Sequence, residues 1–195
     1  MLNLTGNPLA KLPDSIAQLT NLQSLYIINN KWETFPLIVT QLLSLTALYL
    51  SNSRLIVLPE SLSQLTNLTR LDLKYNWIEE LPASITRLPN LQRLDLQYNR
   101  LTTLSPSISH LTSMSELYLR DNLIKTLPLS IVRLSNLKHL DLSNNPLEEP
   151  PYEVALAGID AIRAYFAERA ANPEDIGLYE SKLLLVGEGR VGKTS

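Results

Sequence analysis

The chain has 195 residues, of which 45% are apolar and only 6% aromatic, and its net charge is −2. Leucine and isoleucine therefore carry the packing, and the charge argues against a basic nucleic-acid stripe or a membrane-surface patch. With no cysteine and only His110 and His139, neither disulfides, thiolate metal sites nor a histidine-rich zinc site can form.

The first residues, "MLNLTGNPLAK", lack the basic flank and long apolar stretch of a signal peptide. No segment approaches the roughly 20 apolar residues of a membrane span. A cytoplasmic protein is expected. A fixed period then governs the chain. Asn7, Asn30, Asn76, Asn99, Asn122 and Asn145 fit a spacing of 23, with Ser53 in the one gap. Leu25, Leu48, Leu71, Leu94, Leu117 and Leu140 keep the same frame, as do Ile27, Leu50, Leu73, Leu96, Leu119 and Leu142. Prolines recur at 13, 36, 59, 82, 128 and 151, and Ser105-Pro106 carries the proline one place late.

Such a period signals stacked units, each too small to bury its own apolar face. "LPASITRLPNLQRLDLQYNRL", at 81–101, resembles the leucine-rich repeat of intracellular scaffold proteins throughout its length. The resemblance implies an α/β solenoid of 23-residue repeats with a concave parallel sheet and short convex helical turns. Each L-x-L is a short strand with its leucines inward. The asparagine amide can be buried because it both donates and accepts between neighbouring turns. Ser53 offers less, so a weaker level is expected there. "PxSIxxL" predicts a helical turn with proline at its first position, and Asn21, Asn67, Asn90 and Asn136 return the chain to the strand.

The repeats are expected over 1–151. "LNLTGNPL" opens in mid-repeat without a polar cap, so the chain reads as a fragment or as one whose Leu2, Leu4, Leu9 and Ile16 are covered by something else. Over 152–171, Val154, Ile162, Tyr165 and Phe166 among alanines predict a helix that closes the apolar end, weakened at Gly158. A linker follows over 172–179.

These repeated residues build the scaffold and do no chemistry. Function falls to the residues flanking the inward leucines. Tyr26, Tyr49, Arg70, Asp72, Lys74, Arg93, Asp95, Tyr118, Arg120 and His139 form outward columns, and Tyr75 and Tyr98 follow their strands. Exposed tyrosine and arginine are favoured anchors at interfaces, so a protein or peptide is the expected partner, with the protein's own GTPase module an alternative. A metal site on Asp72, Asp95 and Asp141 is disfavoured because Tyr118 interrupts the column. No serine or cysteine nucleophile is arranged for His139, and no catalytic residue is assigned.

The last stretch breaks the pattern. "KLLLVGEGRVGKTS" couples a short apolar strand to G-x-x-x-x-G-K-[ST], a phosphate-binding loop. Its candidate nucleotide-binding residues are Gly187, Glu188, Gly189, Arg190, Val191, Gly192, Lys193, Thr194 and Ser195. Backbone N–H groups freed by the glycines approach phosphate oxygens, Lys193 faces the β- and γ-phosphates, and Thr194 offers its hydroxyl to Mg²⁺. Repeats, capping helix, linker and this loop together resemble the Roco proteins, in which repeats precede a Ras-like Roc GTPase domain and a COR domain follows. The resemblance implies the start of a Roc domain at 180–195, GTP and Mg²⁺ as ligands of the intact protein, and a docking arm made by the repeats. A stand-alone repeat scaffold without nucleotide function is the competing reading. No base-reading motif is present to separate GTP from ATP.

Phosphate affinity at such a loop depends on the helix behind it, whose first N–H groups face the anion. Only Thr194 and Ser195 follow Lys193, far short of the ~12 residues an isolated helix needs. The 195-residue chain is therefore expected to show no saturable GTP binding, and Lys193→Ala no effect, when labelled GTP and Mg²⁺ are titrated in. Micromolar binding abolished by Lys193→Ala would overturn this.

Overall fold

The computed structural model describes residues 1–7 and 9–171; the linker at 172–179 and the strand and loop at 180–195 lie outside them. Seven parallel strands form one sheet in chain order. They are β1 (Leu2–Asn3), β2 (Ser24–Tyr26), β3 (Ala47–Tyr49), β4 (Arg70–Asp72), β5 (Arg93–Asp95), β6 (Glu116–Tyr118) and β7 (His139–Asp141). Each residue pairs with its equivalent in the next repeat, as in Leu25 with Leu48, Leu48 with Leu71 and Leu71 with Leu94. The architecture is the expected leucine-rich solenoid.

A three-residue strand cannot persist alone. Its stability comes from the leucine columns behind it: Leu25, Leu48, Leu71, Leu94 and Leu117, with Ile27, Leu50, Leu73, Leu96 and Leu119, are at most 1% exposed. Burying each such side chain contributes about 1.5–3 kcal/mol. The opposite wall of the core is six short 3₁₀ turns, Asp14–Gln18, Leu37–Gln41, Glu60–Gln64, Ala83–Arg87, Pro106–His110 and Leu129–Arg133.

The prolines sit one place earlier than expected. Pro13, Pro36, Pro59, Pro82 and Pro128 occupy the cap position, with φ between −63° and −78°. There each proline carbonyl accepts the first bond of its turn, as from Ile16 (3.0 Å) and Val39 (2.9 Å). Pro106 alone takes the first helical position, and Ser105 caps that turn by accepting from the Ser107 N–H at 3.3 Å. A proline late by one residue thus gains a side-chain cap.

Buried asparagines tie each level to the one before. The Asn99 amide donates to Leu73 O and Leu96 O, both at 3.0 Å, and its carbonyl accepts from the Ile78 N–H at 3.0 Å. Asn76, Asn122 and Asn145 repeat the arrangement. Ser53 is the expected weak level: its hydroxyl makes only long contacts, 3.4 Å to Ile27 O and 3.3 Å to Ser51 O, and it has no side-chain carbonyl to offer the N–H of Trp32. At the first level Asn30 donates to Leu4 O and Ile28 O at 3.1 Å, but its Oδ1 is left without a donor. The Leu9 N–H that would serve it turns to Asn7 O instead. On the outer side Asn67, Asn90 and Asn136 donate to Leu43 O, Thr66 O and Thr112 O at 2.8–3.0 Å, a second ladder across the turns.

At the N-terminal end Leu2, Leu4 and Leu9 are half-buried and Ile16 is buried. At the other end two helices form where one was expected, α1 (Tyr152–Leu156) and α2 (Ile159–Ala171). Gly158 separates them at φ +95°, a left-handed conformation that a side chain rarely adopts. The break lets α2 turn Ile159, Ile162 and Phe166 into the core, while Arg163 donates to Leu134 O at 2.8 Å on the last 3₁₀ turn.

Two substitutions test the asparagine ladder. Asn99→Ala removes the side chain's bonds to Leu73, Leu96, Gln97 and Ile78 and strands their partners, and should lower unfolding stability by about 2–4 kcal/mol. Ser53→Asn supplies the missing carbonyl and should raise it by about 1 kcal/mol. Urea unfolding followed by circular dichroism reads both; a neutral Asn99→Ala would refute the ladder's role.

Candidate protein-binding face

Strand alternation places the residues flanking each inward leucine on the concave surface, in columns set by the sheet register. Tyr26 and Tyr49 are register partners, and their rings stack at 4.3 Å, 3° from parallel. Tyr75 and Tyr98, just past β4 and β5, stack at 4.3 Å and 8°. A hydrogen bond to the Tyr49 hydroxyl pushes the Tyr26 phenol up from its ordinary range, and Tyr75 does the same to Tyr98.

The two stacks differ in what the backbone demands. Tyr75 and Tyr98 both hold φ +56°. The equivalent residues elsewhere are Gly6 (+69°), Asn29 (+65°), Asn52 (+53°), Asp121 (+53°) and Asn144 (+57°). Every repeat bends left-handed at this point, and five of seven use the residue types that tolerate it. A tyrosine there is strained by about 1–2 kcal/mol. Yet both rings remain well exposed, Tyr75 at 49% and Tyr98 at 36%, so burial does not compensate. The asparagine column that follows it is legible in the sequence, but this one is not among the expected features. Glycine, asparagine and aspartate recurring one residue earlier at the same period was the available signal.

Strands β4 to β6 carry a charged centre. Tyr49, Arg70, Asp72, Lys74, Arg93 and Glu116 line a groove of about 330 Å³. Arg70 faces Arg93 and Asp72 faces Asp95 in register, like beside like. Directly opposed like charges destabilise a sheet. Arg93 escapes along the next strand, reaching Glu116 at 2.6 Å and Asp95 at 3.8 Å and lying 4.5 Å over the Tyr118 ring. Tyr118 donates to Glu116 at 3.0 Å, and burial followed by that bond raises its phenol. Asp72 accepts from Ser51 (2.8 Å) and sits 3.5 Å from Lys74. Arg70 is exposed and makes no ion pair among the described residues.

Asp95 is only 3% exposed and accepts the Gln97 N–H at 3.3 Å, so its carboxylate serves the strand end more than the surface. Burial and the neighbouring Asp72 carboxylate raise its pKa. Arg120 is exposed and pairs with Asp121 at 2.9 Å. The Asn144 amide, then Arg120, hold the Asp121 carboxyl below its usual range. His139 is exposed beside Glu116. Among the described residues no three His, Cys, Asp or Glu side chains come together to hold a metal ion. The nucleotide-loop residues, from Gly187 to Ser195, lie outside the described residues.

A leucine-rich repeat model matches residues 43–101 and 89–147. The chain belongs to the leucine-rich repeat family. A leucine-rich repeat protein of Leptospira interrogans is 35% identical, with a TM-score of 0.63 over 78% of this chain and 45% of its own. The plant peptide hormone receptor RGFR1, solved in complex with RGF2, is 29% identical with a TM-score of 0.64, covering 75% of this chain and 24% of the receptor. The Arabidopsis receptor kinase HAESA, solved with the peptide hormone IDA and the co-receptor SERK1, gives 28%, 0.64, 75% and 26%. This leucine-rich repeat chain thus spans less than half of each of those proteins. No curated protein matches it.

Two outcomes follow from the face. Tyr75→Asn and Tyr98→Asn install a residue type the other repeats use, relieving strain while losing a ring stack worth about 0.5–1.5 kcal/mol. Each should leave unfolding stability within about 1 kcal/mol of the parent. A loss of several kcal/mol in urea unfolding would make the tyrosines structural. For Asp95 the raised native pKa means the fold holds a proton the unfolded chain releases. Stability should therefore fall as pH rises through the window between the unfolded and the raised native pKa. Asp95→Asn keeps the acceptor for Gln97 and should remove that fall, read as a flatter profile of unfolding midpoint against pH.

Proposed function

We propose that this leucine-rich repeat scaffold binds an extended protein or peptide segment on its concave face. We further propose that it is the docking arm of a cytoplasmic, Roco-type GTP-binding signalling protein. The observation that carries the first part is the Tyr75–Tyr98 stack, kept exposed at two left-handed positions where strain opposes it. Strained residues that the fold does not need cluster where ligands are held. Arg70, which lines the groove and makes no ion pair among the described residues, adds a donor fork suited to a carboxylate or carbonyl of the partner. The peptide complexes of the two plant receptors support the same ligand class.

The second part rests on sequence alone. "GEGRVGKT" after "KLLLV", behind a repeat array, is the order found in Roco proteins. In the intact protein the loop would hold the phosphates of GTP, with Thr194 toward Mg²⁺, and the partner of the concave face could be the GTPase module itself.

Partners captured from native lysate should crosslink to the tyrosine face, and should be lost with Tyr75→Ala/Tyr98→Ala. Anchor tyrosines at interfaces contribute about 2 kcal/mol or more, so affinity should drop at least about thirtyfold. Partners that survive both this change and Arg70→Ala/Arg93→Ala would move the site to the convex side or the ends. Native full-length protein that fails to bind GTP would leave the stand-alone scaffold.

A further inference from the structure

Beyond the concave face, a second surface is assembled on the rim where the chain leaves each strand. Lys31, Arg54, Trp77, Arg100 and Leu123 recur there at the repeat period, all exposed. The Arg54 guanidinium lies 5.6 Å from the Trp77 ring centroid and that of Arg100 lies 5.1 Å from it. They come from the repeats before and after, so the indole stands between two guanidiniums roughly 10 Å apart, two strand spacings.

Few direct ion pairs engage the cations of this rim. The one carboxylate paired with Arg54 among the described residues is Glu33, at 3.9 Å, with both side chains exposed (44% and 61%). An ion pair of that kind contributes little. Arg100 and Lys31 make no ion pair among the described residues, and Glu79 and Glu80, which follow Trp77, pair with neither arginine. Attraction to the aromatic face restrains each guanidinium beside the indole, and both arginines remain exposed to a ligand. Two forks are thus pre-ordered at a set distance, which lowers the entropy lost when carboxylates bind them.

We propose that this rim binds an acidic segment of a partner protein in polyproline-II conformation. The spacing fits that conformation. A polyproline-II helix repeats every three residues at about 3.1 Å each, so carboxylates three places apart lie on one side about 9 Å apart. Helical carboxylates one turn apart are only about 5–6 Å apart; those two turns apart reach about 10.5 Å, but a short segment must first form the helix, whereas polyproline-II is already a major conformer of an unfolded chain. In a strand, residues three apart point to opposite faces. The chain's negative net charge and the small size of the basic strip argue against a nucleic acid.

The test titrates a fluorescent Glu-Pro-Pro repeat peptide into the 195-residue chain, with a Lys-Pro-Pro peptide and a single-stranded RNA as comparisons. Saturable binding is expected for the acidic peptide alone, weakening as salt is added. Arg54→Ala/Arg100→Ala should weaken it at least about tenfold, with the circular-dichroism spectrum unchanged because both residues are exposed. Arg54→Lys/Arg100→Lys, which keeps charge but not the planar fork, should fall between. Arg87→Ala/Arg133→Ala on the convex turns should change nothing. Absence of saturable binding, or equal affinity in the Arg54→Ala/Arg100→Ala variant, would overturn the proposal. So would loss of binding on Arg70→Ala alone, which would assign acidic peptides to the concave face. RNA bound more tightly through the same two arginines would overturn it as well.

Discussion

A buried amide cannot be left unpaired, and in this molecule that requirement sets the geometry of everything else. Each core asparagine bonds its own repeat and the one before it, so the distance between successive turns is fixed by hydrogen bonds as well as by leucine contact. Slipping the register by one residue would send a leucine outward and strand an asparagine in the same step. Two penalties with one cause make a three-residue strand behave as though it were long.

That strictness frees the outer face from structural duty. With register secured from behind, the concave columns can hold arrangements a sheet would ordinarily reject. Arginine faces arginine and aspartate faces aspartate between β4 and β5. Tyrosine replaces asparagine where the backbone turns left-handed. Both departures fall in the same middle repeats, beside the groove, while the outlying repeats keep the residues the backbone prefers. The energetic concessions and the candidate site coincide.

The fold was legible because its cause is periodic: leucines at 25, 48, 71 and 94, with asparagines behind them, repeat without insertion. Features that depend on one residue's neighbours were not. Nothing in "LP" tells whether proline enters a turn or caps it; the choice depends on which carbonyl the turn needs. Gly158 was seen as a weak point, but the break into α1 and α2 follows from where Phe166 has to pack. Among face residues, the columns could be listed from the sequence, whereas the burial of Asp95 could not. It depends on how closely Arg93 and Tyr118 close over their strand. The cluster of Arg54, Trp77 and Arg100 is not legible in the sequence because its column, Lys31, Arg54, Trp77, Arg100 and Leu123, keeps no single residue type.

The asparagine and carbonyl bonds between repeats reach back 21 to 26 residues, and among the described residues no ladder bond spans two repeats. Every unit therefore knows only its neighbours, and the chain behaves as a one-dimensional stack. For descent with modification the consequence is a natural coin of change. Removing or duplicating one whole unit leaves each surviving joint as it was, whereas a gain or loss of any other length breaks one. Such a lineage can lengthen or shorten its binding face in steps of about 4.8 Å, while the chemistry displayed at each step drifts independently of the frame behind it.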